Sequence, residues 1–127
     1  MKRVRGLYPT EEEEQTAVVK YCQLRRWRCF HIPNEGKRTM ITGARLKQQG
    51  MSSGVPDLCI PIPMGCYHGM YLEMKRRKEC YPKVSEEQKE WIAYLNRSGY
   101  YAVVAYGFDE AKAFIDMYMG QKEKGRS

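Results

Sequence analysis

The chain has 127 residues and 14.9 kDa, 43% apolar and 29% charged, with a mean hydropathy of −0.69, which suits one domain with one core and excludes a collagen-like, mucin-like or fully disordered chain. Twenty-two Lys and Arg against 15 Asp and Glu give a net charge of +7, a balance that favours a polyanionic partner. The longest uncharged stretch, Leu58 to Leu72, is interrupted by Pro61, Pro63, Gly65 and Gly69 and is shorter than the ~20 residues of a membrane-spanning helix, so no membrane partner is expected.

Residues 1–9 read as an arm. Lys2, Arg3 and Arg5 have no apolar run behind them, so no secretory signal is expected and the cytoplasm is the expected location. Thr10, with Glu13 three residues on, predicts a capping box, and the run Glu11 to Glu14 suits the positive end of a helix dipole. The inward stripe of that helix reads Glu11, Gln15, Val18 and Cys22, with Glu14 and Tyr21 alongside. Arg28 to Ile32 reads as a short strand closed by Pro33, Asn34 and Gly36. From Lys37 to Gly54 the chain is basic, polar and glycine-punctuated, and reads as a loop.

Leu58, Ile60 and Ile62, then Met70, Leu72 and Met74, alternate with other residues and predict two antiparallel strands. With both apolar sets on the core face, the expected register pairs Ile62 with Met70, Ile60 with Leu72 and Leu58 with Met74. Asp57 then lies opposite Lys75 and diagonal to Glu73. Ser85 and Gln88 predict a second capping box, opening a helix with Gln88, Trp91, Ile92 and Leu95 inward and its end near Ser98 and Gly99. Tyr100 to Tyr106 reads as a strand parallel to the one before it, and Phe108, Ala111, Phe114, Ile115 and Tyr118 mark a last amphipathic helix. The expectation is a single α/β domain over residues 10–120, in the order αβββαβα, with a mixed sheet flanked by helices and a charged tail at residues 121–127. Cys22, Cys29, Cys59, Cys66 and Cys80 are odd in number and form no CxxC pair, so free thiols are expected. His31 and His68 read as structural, and the absence of a GxxxxGK[ST] motif argues against a nucleotide cofactor.

Asp57, Glu73 and Lys75 are charged residues in an otherwise buried-looking segment, where an unpaired charge is costly. Two readings account for them. Two carboxylates on paired strands make a hard-oxygen site for Mg²⁺, beside which Lys75 holds a water or neutralises charge on a phosphate. The other reading is an ion-pair network with no catalytic task.

At these residues the chain resembles a known family. Gly54-Val55-Pro56-Asp57, Tyr71-Leu72-Glu73-Met74-Lys75, Val84 to Trp91, Gly99-Tyr100 and Ala102 to Ala105, with Glu11, Gln15 and Ile32 to Gly36 upstream, are similar to the virus-type replication-repair nuclease (VRR-NUC) domain of the PD-(D/E)XK superfamily. The resemblance implies a restriction-endonuclease-like core and a Mg²⁺- or Mn²⁺-dependent nuclease, of a type found as standalone viral or mobile-element proteins, which would place it in a host cytoplasm. It implies Asp57, Glu73 and the Met74 carbonyl as metal ligands and Lys75 as the catalytic lysine. Glu11 would approach the metal from the first helix beside Gln15, with Glu14 as the alternative. Gln88 matches the family's glutamine on the next helix, while its place in a capping box offers a structural reading.

Lys37, Arg38, Arg45 and Lys47 before the motif and Arg76, Arg77 and Lys78 after it are candidates, with Gln15, for contacting a nucleic-acid backbone without reading sequence. The expected function is a structure-selective DNA endonuclease acting as a homodimer, with four-way junctions as a candidate substrate. The alternative is a catalytically silent nucleic-acid-binding module.

Overall fold

A computed structural model of the chain describes residues 7–33 and 40–123, the side chains of Met40 and Ile41 excepted. Helix α1 (Glu11–Arg25) opens on the predicted capping box. The Thr10 hydroxyl accepts from the Glu13 N–H at 3.1 Å, and the Glu13 carboxylate accepts from the Thr10 N–H at 2.8 Å. Strand β1 (Phe30–His31) follows, then α2 (Met40–Gln48), β2 (Leu58–Ile60), β3 (Met70–Lys75), a 3-10 turn at Lys78–Cys80, α3 (Glu86–Arg97), β4 (Tyr101–Tyr106) and α4 (Phe108–Met119). The sheet runs β1-β2-β3-β4, antiparallel except for the parallel β3–β4 pair, whose connection carries α3.

Alternation along β3 sorts its side chains between two faces. Met70, Leu72 and Met74 are fully buried, in one core with Val18 and Cys22 of α1 and Ala111, Ile115 and Tyr118 of α4. Tyr71, Glu73 and Lys75 point to the opposite face, and Ala102 and Val104 share it through the β3–β4 register. Helix α3 packs against β4, and its buried residue is Leu95. The observed architecture is thus one α/β domain with a mixed four-stranded sheet.

Three local expectations are corrected. The stretch read as a loop contains α2, because Met40 to Gln48 holds no proline and a single glycine, Gly43. The β2–β3 register is two residues away from the expected one, pairing Leu58 with Leu72 and Ile60 with Met70. Pro61 has no N–H to donate, so β2 stops at Ile60. A two-residue slip preserves which face each side chain takes, so the core composition is unchanged. Thirdly, the inward stripe of α1 is Glu14, Val18 and Cys22, and Glu11 is exposed. Gly65 donates to the Lys122 carbonyl at 2.6 Å and Glu123 bridges to Met64, so the start of the tail is attached. The end of the N-terminal arm is held by Arg76, whose Nε and Nη2 donate to the Pro9 and Tyr8 carbonyls at 2.9 and 3.0 Å.

The five cysteines are free. No helix among the described residues is long and apolar enough to cross a membrane.

Candidate active site

The end of β2 creates the site. Asp57 directly precedes β2, and continuing the observed register places it opposite Glu73. Its carbonyl accepts from the Ile32 N–H at 2.7 Å, and its Oδ2 accepts from the Met74 N–H at 2.7 Å. Lys75 gives its carbonyl to the Gly107 N–H on the β4 side at 2.9 Å. Backbone alternation therefore aims the Met74 carbonyl at the other edge, where Asp57 lies.

Glu73 is 2% exposed, and its Oε1 is buried without a hydrogen-bond partner among the described residues. Its Oε2 accepts from the Gln88 side chain at 3.0 Å and lies 3.8 Å from Lys75 Nζ. Burial first, and then the neighbouring Asp57 charge, push the Glu73 carboxyl up to about 9 against the pull of Lys75. Asp57 is raised as well, by burial, with the Met74 N–H opposing. Two carboxyls that resist ionising side by side, one with an unpaired oxygen, are chemically suited to a hard divalent cation.

Gln88 has both roles considered for it. Its Oε1 accepts from the Ser85 N–H at 2.8 Å, completing the capping box, while its Nε2 reaches Glu73. The first turn of α3 is brought close by Gly54, whose φ of +88° and proximity to Glu87 exclude a side chain. A Cβ there would lie 2.5 Å from the Glu87 carbonyl carbon.

Helix α1 approaches from the other face. Although the Glu11 side chain is reached by solvent, partial desolvation beside the site raises its carboxyl, Lys75 lowers it and Asp57 raises it, so it shares their electrostatic field. Among the described residues no group of three or more His, Cys, Asp or Glu side chains is placed to hold a metal ion. Glu14, the alternative, is committed elsewhere. It takes Arg77 Nε and Nη2 at 2.9 and 3.2 Å and the Phe108 N–H at 3.0 Å. Gln15 Nε2 lies 3.0 Å from His31 Nδ1, which is itself 3.1 Å from the Asp57 carbonyl oxygen. His31, read as structural from its place on a short strand, thus borders the site. The sequence placed His31 on a short strand, and the β1–β2 pairing brings that strand beside Asp57.

The basic candidates divide. Lys37 and Arg38 lie outside the described residues. Arg45 and Lys47 are exposed on α2. Lys78 is exposed, 3.6 Å from Glu110 and over the Tyr106 ring. Arg76 and Arg77 are half-buried: one holds the arm, and the other holds Glu14 while stacking on Tyr8.

Residues 9–109 match the family described as VRR-NUC domain. A solved structure titled "VRR_NUC domain protein" is similar at 31% identity and a TM-score of 0.79, over 91% of this chain and 92% of that one. Comparison with curated proteins gives no match.

Proposed function

Because this chain belongs to the VRR-NUC domain family, a nuclease family of the PD-(D/E)XK type, we propose that it is a divalent-metal-dependent DNA endonuclease that selects its substrate by structure. The observation that carries the proposal is the buried Glu73 Oε1 without a partner, beside Asp57 and within reach of Lys75. Asp57 and Glu73 are two carboxyls crowded together at one site, an arrangement that a shared proton or a bound cation relieves, and a cation gives Lys75 a task beside them.

Asp57, Glu73 and the Met74 carbonyl would hold Mg²⁺ or Mn²⁺, a ligand set that leaves positions for water and phosphate oxygens. When bound, the ion supplies Lewis-acid polarisation of the phosphate and a more acidic water. Lys75 orients the attacking water and offsets negative charge developing on the phosphate. Gln88 fixes the Glu73 carboxylate by donating to Oε2. Glu11, which shares the electrostatic field of Asp57 and Lys75, would approach the ion from the α1 side. Gln15 and the exposed Arg45, Lys47 and Lys78 contact the nucleic-acid backbone, with Lys37 and Arg38 adding charge.

One active site must act twice to cut both strands of a branched DNA, and a symmetric homodimer does this most simply. Four-way junctions are the substrate proposed. The test is a panel of labelled linear, nicked, flapped and four-way DNAs with Mg²⁺ or Mn²⁺, together with light scattering. Paired incisions in the junction and a mass near twice 14.9 kDa are expected. No cleavage of any DNA by the parent overturns the nuclease reading, whereas a cleaving monomer overturns only the dimer.

A further inference from the structure

The segment Arg25-Arg26-Trp27-Arg28-Cys29-Phe30 has no part in the site described above. Arg25 stacks on Trp27, its guanidinium 4.5 Å from the ring centroid. Arg26 and Arg28 are exposed, and no ion pair to either occurs among the described residues. Phe30 is 51% exposed. Arg26, Trp27, Arg28, Phe30 and Pro61 line a concavity of about 460 Å³.

Strand alternation orients this patch. Cys29 pairs with Cys22 and His31 with Gln15, both partners lying on α1. Phe30 therefore projects to the opposite face, and Arg26 and Arg28 line the same concavity as Phe30. Register carries that face across the sheet from Phe30 to Cys59 and from Cys59 to Tyr71, and Glu73 lies two residues further along β3. Strand spacing and rise put Phe30 about 12 Å from Glu73 on one surface. The backbone adds an independent observation. Arg26 caps α1 at φ +62°, the left-handed conformation that glycine adopts with least strain.

We propose that Arg26, Arg28 and Phe30 form a second nucleic-acid subsite that holds an unpaired stretch of the substrate strand beside the cleavage centre. This rests on the nuclease reading and deepens it. The two guanidiniums match phosphates, and an exposed phenyl ring finds a base to stack on only where the strand is unpaired. Duplex binding requires the charge alone and leaves the ring unused.

The test is fluorescence anisotropy of the full chain in EDTA, where no cleavage occurs, on a duplex and on the same duplex with a short unpaired tail. Phe30→Ala weakens tailed DNA at least about fivefold, the loss of one stacked base, and leaves duplex affinity within about twofold. Arg28→Ala and Arg26→Gly each lower the salt slope of tailed-DNA binding by about one. Arg26→Gly does so with an equal or higher thermal midpoint, which a merely structural arginine would not show. If the parent cuts DNA while all three variants bind both DNAs as the parent does, the subsite is overturned and the nuclease reading stands. A parent that neither binds nor cuts DNA overturns both.

Discussion

Glu14 and Glu73 are each 2% exposed, yet their environments drive them in opposite directions. Burial raises Glu14, but the Arg77 guanidinium and the Phe108 N–H outweigh it, and the carboxyl is held below its ordinary value. Glu73 has the Asp57 charge as a neighbour and is pushed up to about 9. An acid raised in the folded state stabilises it below the unfolded pKa, and that stability is lost as pH rises through the folded value. The metal-free protein is therefore expected to lose stability between about pH 5 and 9 through Glu73, and Glu73→Gln should flatten this slope in urea titrations. Manganese affinity should rise over the same interval in calorimetry, because Glu73 must release its proton to become a ligand. Lys75 separates chemistry from metal binding, since an ammonium cannot ligate the ion. Lys75→Ala should retain or tighten Mn²⁺ binding while single-turnover cleavage falls by about 10²-fold or more. Lys75→Arg should not restore it fully, because a planar fork differs from a compact ammonium.

At the scale of elements, two glutamate and glutamine side chains act as joints. Gly107 offers α4 no side-chain cap, and Glu14 supplies one from α1 by accepting from Phe108 N while holding Arg77 after β3. Glu14→Ala leaves the Phe108 N–H without its acceptor and releases an arginine that water can still reach, with an expected loss of roughly 1–3 kcal/mol in chemical denaturation for the stranded N–H. The cap at Thr10 was legible in the sequence, but the phase of α1 was not. Glu11 and Glu14 share its first turn, and only the packing of Val18 and Cys22 into the core decided which turned inward. Gln88 connects the α3 cap to Glu73. Gln88→Glu keeps a capping-box side chain but replaces the amide donor with an acceptor, so its melting midpoint should stay near the parent's while cleavage falls. An equal loss of both would reduce Gln88 to its capping role.

For the whole molecule, +7 of charge sets long-range attraction to nucleic acid. Arg76 and Arg77 are spent on the arm and on Glu14, so the nominal charge overstates the phosphate contacts available. Affinity for DNA should fall steeply with salt, with Arg45→Ala lowering the slope by about one and Arg77→Ala acting mainly on stability. Anisotropy across a salt series, paired with thermal melts, separates the two. Asp57→Ala removes a negative charge near the phosphate and a proposed ion ligand, so cleavage should vanish while DNA affinity stays equal or rises.

The sequence by itself determined which residue types lie on which face of each strand, because a period of two survives even the two-residue register error between β2 and β3. It also determined both capping boxes, whose spacing is local, and the family likeness carried by Asp57, Glu73 and Lys75. Tertiary structure alone decided what those local patterns could not encode. The β2–β3 register set Asp57 across from Glu73, and Pro61 ended β2 at Ile60. The Gly54 contact brought α3 close enough for Gln88 to serve two partners. Arginines that look alike in a basic run were divided by the carbonyls and carboxylates the fold placed beside them, since an ion pair depends on distance and desolvation rather than on order in the chain.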